Sequence, residues 1–203
     1  MNRRAMPRLA PALAAALLFT ATACSPGEQQ AGSPPLDGAS IGGDFALVDK
    51  AGKAVRFHDF AGQYRIVYFG YTFCPDACPL DVQKMMQGYA KFAKAEPEVG
   101  ARVQPLFVSI DPARDTPAAV GEFAASFSPK LIGLTGSQAQ VAEAAKMFNA
   151  YYAKGEATTG GGYLMDHARI AYLMAPDGKP LALLPIDQTA DAVAESLAKW
   201  TSP

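Results

Sequence analysis

Ile66-Val-Tyr-Phe-Gly-Tyr71, headed by Arg65, is an unbroken apolar, β-branched and aromatic run, and it constrains the fold more than any other stretch. Without polar alternation such a run predicts a strand buried on both faces, as at the centre of a parallel sheet layered between helices. The flanking chain agrees. From Pro79 to about Ala95, Val82, Met85, Met86, Tyr89 and Phe92 recur at spacings of three and four and predict an amphipathic helix. Val103 to Ile110 reads as a second buried strand, Pro117 to Phe127 as a helix, Leu131 to Leu134 as a short strand and Ser137 to about Tyr152 as a third helix. A hairpin follows, with arms near Ala168 to Met174 and Leu181 to Ile186 around Pro176-Asp-Gly-Lys179, and a last helix runs from Thr189 to Trp200. Asp44 to Val48 and Ala54 to Phe57, joined through a Gly turn, predict a hairpin before the central strand. The fold class is α/β, with a parallel-centred sheet covered on both faces.

Before the hairpin the chain changes character. Arg3, Arg4 and Arg8 precede an apolar run from Leu9 to Ala23, which ends in Ala21-Thr-Ala-Cys24. A charged start, a short apolar stretch and small residues before a cut make a signal peptide over residues 1–23. The run is shorter than the about 20 residues that a bilayer-spanning helix needs. Cys24 directly after Ala23 is similar to the acylated cysteine of bacterial lipoproteins, which implies a lipid anchor there. Residues 24–40, rich in Ser, Pro, Gly, Gln and Ala, read as a flexible tether. The expected arrangement is an exported lipoprotein, anchored in a membrane, whose domain over residues 41–203 faces the periplasm or another extracytoplasmic space. The 18 basic residues nearly cancel the 19 acidic ones, so no single-signed field is available to hold nucleic acid.

With Cys24 taken by lipid, Cys74 and Cys78 remain of the 3 cysteines. They lie in Gly70-Tyr-Thr-Phe-Cys-Pro-Asp-Ala-Cys-Pro79, at the carboxyl end of the central strand and the start of the first helix. Ligands of open α/β sheets bind at that edge, and a helix N-terminus favours negative charge. Depressed thiol pKa values are expected there, and thiolate is both the nucleophile and the metal ligand. The spacing of four brings the sulfurs within disulfide reach, so the pair can be a disulfide or a dithiolate clamp. As a purely structural disulfide it would do little, because so short a loop constrains the unfolded chain weakly. A redox pair or a metal site fits better, although redox motifs usually have two intervening residues rather than three.

A metal site needs further ligands, and the chain has 2 histidines. His167, in Gly162-Tyr-Leu-Met-Asp-His-Ala168, stands just before the late hairpin, whose first strand starts near the cysteine loop if it lies beside the central strand. Two thiolates and an imidazole suit copper in either oxidation state, or zinc with an open position. His58, on the outer hairpin beside Asp59, reads as an ordinary surface residue.

Tyr68-Phe-Gly-Tyr-Thr-Phe-Cys-Pro-Asp-Ala-Cys-Pro79, Val108-Ser-Ile-Asp-Pro-Ala-Arg-Asp-Thr-Pro117, Gly133-Leu-Thr-Gly136 and Asp166-His-Ala-Arg-Ile-Ala-Tyr-Leu173, in that order, closely resemble the Sco/SenC copper chaperones. The resemblance covers about Ile41 to Trp200. It implies a thioredoxin-like fold with an N-terminal β-hairpin extension and a late hairpin insertion carrying the distal histidine. It also implies one copper ion per chain, Cu(I) or Cu(II), on Cys74, Cys78 and His167. The implied partner is cytochrome c oxidase subunit II, or another copper-accepting exported protein, to whose dinuclear copper site such a protein delivers copper or whose cysteines it keeps reduced. Leu80-Asp-Val82 departs from the family, where threonine is commoner after the motif, and no ligand position is altered. The residues themselves keep a second function open, a thiol-disulfide oxidoreductase in which copper is incidental or regulatory.

Smaller expectations attach to the other motif residues. Asp76 can tune the electrostatics of the cysteine loop or contact a partner, or simply form a turn. Asp111, Arg114 and Asp115 lie in the loop after the second buried strand, either as a docking face or, the favoured reading, as a structural network. Asp166 is a candidate to orient His167, or equally an exposed carboxylate. Met85, Met86 and Met165 are better read as packing than as ligands.

Overall fold

In the computed structural model, which describes Met1, residues 32–157 and residues 162–201, the chain opens with an antiparallel pair, β1 (Ala46–Val48) and β2 (Ala54–Arg56). The signal segment, Cys24 and the first part of the tether lie outside the described residues. The later part of the tether already bonds to the domain, since the Leu36 N–H donates to the Leu181 carbonyl at 3.0 Å.

A 3-10 turn (Phe57–Phe60) leads into β3 (Tyr64–Gly70), in which every residue is buried. Then come α1 (Ala77–Ala95), the short α2 (Pro97–Ala101), β4 (Val103–Ser109), α3 (Pro117–Phe127), β5 (Ile132–Leu134) and α4 (Gln138–Met147). An antiparallel hairpin, β6 (Tyr152–Ala157) and β7 (Tyr163–His167), precedes β8 (Ala171–Met174), β9 (Pro180–Leu184) and α5 (Ala190–Trp200).

The main sheet has the order β5-β4-β3-β8-β9, with β3 in the middle. β3 runs parallel to β4, with Tyr68 opposite Phe107, and antiparallel to β8, with Tyr68 opposite Ala171. Strand alternation sends successive side chains of β3 to opposite layers. Tyr68 and Phe107 face one layer, where Phe107 meets Phe123 of α3 with ring centroids 4.7 Å apart. Phe69 faces the other, where Phe148 gathers Phe45, Phe57, Phe69 and Tyr172 into an aromatic cluster. α1 and α5 pack so closely that a Cβ on Gly88 would fall 2.5 Å from the Val193 side chain. The parallel-centred sheet with helices on both faces is therefore present.

Two elements differ from the sequence expectation. The third helix stops at Met147 instead of continuing to about Tyr152, because Phe148 turns into the aromatic core and Asn149 takes a left-handed φ of 51°. Part of the released chain becomes β6. The histidine, expected just before the β8–β9 hairpin, ends a hairpin of its own, β6–β7, whose first strand lies partly where the helix was expected. Among the described residues β6 and β7 pair only with each other, with a register shift between Lys154 and Ala157.

Candidate metal centre

β3 ends at Gly70, and its carboxyl edge receives both halves of the site. The chain leaves β3 through Tyr71, Thr72 and Phe73 to reach Cys74, and α1 begins at Ala77, so Cys78 sits in the first helical turn. Because β8 is antiparallel to β3 and starts opposite Tyr68, the chain must approach β8 from beyond that same edge. His167, the last residue of β7, lies on that approach.

The ligand atoms of Cys74, Cys78 and His167 all lie within 4.8 Å of one another. Cys78 Sγ is 3.1 Å from His167 Nε2, and the two sulfurs are not bonded to each other. His167 Nδ1 lies 3.1 Å from the Ala168 carbonyl oxygen. A carbonyl can only accept, so Nδ1 carries the proton and Nε2 keeps its lone pair turned to the sulfurs. Tyr68 and Tyr71 hold the imidazole between them in edge-to-face contacts, with centroids 6.2 and 5.9 Å from it. Burial pushes the His167 pKa below 6.5, which keeps the ring neutral at pH 7.

The two thiols are unlike. Cys74 is half-buried; burial opposes its thiolate, but the backbone N–H groups of Cys78 and Asp76 and the Tyr71 hydroxyl outweigh that and draw its pKa down. The Cys78 N–H donates to Cys74 Sγ at 3.3 Å, so the sulfur satisfies a donor that the first helical turn leaves open. Cys78 is fully buried, and burial pushes its thiol up to about 12. The expectation that the helix N-terminus depresses both thiols therefore holds for Cys74 alone. Cys78 lies inside the turn rather than ahead of it, where desolvation dominates.

Asp76 occupies the position before α1 with an exposed side chain that caps no N–H; its backbone N–H is what reaches Cys74. Asp166 is exposed on β7, and it is the Ala168 carbonyl that accepts the His167 Nδ1–H bond. In the loop after β4, Asp111, Arg114 and Asp115 take part in a side-chain network. Asp115 accepts from the Thr72 hydroxyl and the Ser109 hydroxyl, both at 2.6 Å. Arg114 pairs with Asp111 and donates from Nη1 to the Tyr163 carbonyl at 2.9 Å, while the Tyr163 hydroxyl donates to Asp111 at 2.8 Å. The Arg114 guanidinium also lies 3.7 Å from the Tyr163 ring centroid and 4.9 Å from that of Phe73. This network ties the cysteine loop to the hairpin of His167. Met85 and Met86 are buried in the core, Met165 is partly buried, and the His58 N–H simply bonds Asp44.

Sequence reasoning missed Asp81, Tyr68 and Arg169. Asp81 is fully buried and accepts from the Tyr68 hydroxyl at 3.1 Å and from Arg169 Nε and Nη2 at 2.8 and 2.6 Å. The available signal was an acid next to Val82 on the apolar face of a helix.

Residues 33–202 match the family model described as SCO1/SenC. The chain belongs to the SCO1/SenC family. Among its SCO1/SenC relatives, the mitochondrial SCO2 homolog of Bos taurus is 41% identical over 153 residues, covering 75% of this chain and 57% of the relative. The mitochondrial SCO1 homolog of Homo sapiens is 36% identical over 165 residues, covering 80% and 54%. The chain thus spans little more than half the length of these two proteins. Two solved structures are similar as well. Copper-bound ScoI of Arabidopsis thaliana superposes with a TM-score of 0.71 at 36% identity, covering 78% of this chain and 96% of that one. Copper-bound ScoI of Bradyrhizobium japonicum gives 0.70 at 35% identity, covering 79% and 99%. With these neighbours, the SCO1/SenC chain has the thioredoxin-like fold that the sequence motifs imply. Its two sulfurs and neutral imidazole form a soft donor set that fits one copper ion.

Proposed function

We propose that the protein is a copper metallochaperone that takes one copper ion on Cys74, Cys78 and His167 and passes it to a cysteine-bearing site. The convergence of two sulfurs and a lone-pair nitrogen within 4.8 Å carries this reading. Copper is cargo here, so the site must release as well as hold. Three protein ligands leave room for an incoming thiolate, and copper can move by ligand exchange without becoming free. Oxidation of Cys74 and Cys78 to a disulfide removes both thiolates and so couples metal affinity to redox state. The acceptor we propose is the dinuclear copper site of cytochrome c oxidase subunit II, on the family membership and the names of the relatives. We also assign residues 1–23 to a signal peptide, Cys24 to lipid anchoring and residues 24–40 to a tether, with the domain on the extracytoplasmic side. Among the described residues no helix is long and apolar enough to cross a membrane.

The unequal thiols favour a second reading, reduction of a target disulfide. Cys74 thiolate attacks one target sulfur, and the target disulfide breaks as a mixed disulfide forms. Cys78, on losing its proton, attacks Cys74 and expels the second target thiolate. Two electrons pass to the target, and Cys74–Cys78 ends oxidised.

The test is an anaerobic copper titration of the reduced protein in mild detergent, beside His167→Ala. One tightly held copper per chain that is lost in His167→Ala supports the metallochaperone. Copper binding that is absent, or indifferent to His167, overturns it and leaves the disulfide reductant.

A further inference from the structure

Neither β6 nor β7 is paired to the main sheet among the described residues, so the sheet itself does not fix where His167 stands over the cysteines. Other fastenings must do so. We propose that Arg169, through its ion pair with Asp81, is a positioning residue for His167 and sets how firmly copper is held. The inference rests on the copper reading above and concerns the same site.

Asp81 lies three residues beyond Cys78 on α1 and is fully buried, where a carboxylate is tolerated only if paired and hydrogen-bonded. Arg169 meets it with both edges of a planar fork, Nε to Oδ2 at 2.8 Å and Nη2 to Oδ1 at 2.6 Å. Such a two-point contact fixes direction as well as distance. The side chain of Arg169 is 50% exposed while that of Asp81 is 0% exposed, so the guanidinium reaches inward from the surface to an anchor seated on the cysteine helix.

What the anchor holds is the peptide between Ala168 and Arg169. Its carbonyl accepts the Nδ1 proton of His167 and thereby leaves Nε2 unprotonated. The preceding N–H, that of Ala168, donates to the Tyr151 carbonyl at 2.9 Å. Asp81 also accepts from Tyr68, whose ring stands edge-to-face against the imidazole. One buried carboxylate on the cysteine helix thus restrains two of the groups that orient the histidine. Partners that orient a ligating histidine typically account for about 10- to 100-fold in metal affinity.

The experiment compares Cu(I) affinity, by competition with a colourless chelator, for the full chain, Arg169→Gln, Arg169→Lys, His167→Ala and the His167→Ala/Arg169→Gln pair. Arg169→Gln should weaken binding about tenfold or more where His167 is present and change nothing where it is absent. Arg169→Lys, which keeps the charge and loses the fork, should recover only part. An Asp81→Asn/Arg169→Gln chain, with no buried charge left to disrupt folding, should show the same loss as Arg169→Gln. A second readout needs no metal: imidazole 15N shifts should report a single Nδ1-protonated tautomer in the parent and a mixture in Arg169→Gln. An equal loss in both His167 backgrounds, or an unchanged tautomer, overturns the proposal. Copper binding that needs His167 but ignores Arg169 sinks this inference alone. Absent copper binding sinks the metallochaperone reading, and the tautomer then decides whether Arg169 positions His167 at all.

Discussion

Cys78 Sγ lies 3.1 Å from His167 Nε2, and because the ring's one N–H, at Nδ1, donates to the Ala168 carbonyl, this contact is an S–H donating to nitrogen. The metal-free site therefore stores one proton between the two atoms that a metal would join. Cys78, pushed up to about 12 by burial, holds that proton throughout the neutral range. Metal uptake must expel it. Copper affinity should accordingly fall by at least about tenfold for each unit that pH drops from 8 to 6. Burial lowers the His167 pKa and so weakens proton competition at its nitrogen. Chelator competition across that range, corrected for the chelator's own protonation, measures the slope; a flat profile contradicts the assigned proton.

The same asymmetry predicts which sulfur reacts. Cys74 is half-buried with a lowered pKa, whereas Cys78 is fully buried and protonated. Brief iodoacetamide treatment of the reduced protein at pH 7 should label Cys74 at least about tenfold faster than Cys78, since thiolate is the reacting form. Peptide mapping by mass spectrometry reads the ratio. Preferential labelling of Cys78 would mean that its proton is not held as described.

How much of this was legible in the sequence differs by element. The apolar run of β3 announced a central strand, and placing Cys74 and Cys78 at its carboxyl edge needed only the topology rule for open sheets. β6 and β7 gave no such signal. Tyr152-Ala-Lys-Gly-Glu-Ala157 has no apolar alternation, and neither strand has a fully buried residue, so period-2 reasoning had nothing to detect. The apolar Phe148, Ala150 and Tyr152 instead prolonged the helical pattern past Asn149, where the backbone turns. Asp81 and Arg169 were invisible for another reason. Their pairing joins α1 to the chain ahead of β8 and exists only once both surround β3.

Arg114 makes a prediction about hairpin attachment. Its side chain is 21% exposed and that of Asp111 4%, so Arg114→Ala strands a nearly buried carboxylate. Losing one partner of such a pair costs about 3–5 kcal/mol. Tyr163→Phe removes only the hydroxyl bond to Asp111 and should cost about 1 kcal/mol. Urea unfolding of the metal-free protein measures both. Equal effects would show that the Tyr163 hydroxyl, rather than the Arg114 pair, is the main fastening.

Gly70 offers a probe of the cysteine side that leaves every ligand in place. A Cβ there would stand 2.8 Å from the Tyr68 ring, 3.0 Å from the Phe107 ring and 3.2 Å from Cys78 Sγ. The absent side chain is therefore what lets the Cys78 sulfur lie against the end of β3. Gly70→Ala overpacks a filled layer and should destabilise the fold by about 1–3 kcal/mol. The two rings are wedged between β3, β4 and α3, so part of the displacement must fall on Cys78, in the first turn of α1. The Cu(II) charge-transfer band of Gly70→Ala should then shift or weaken while copper stoichiometry stays at one per chain. A spectrum identical to the parent's, in a chain destabilised as expected, would show that the rings absorb the whole displacement and that Cys78 is held independently of the strand end.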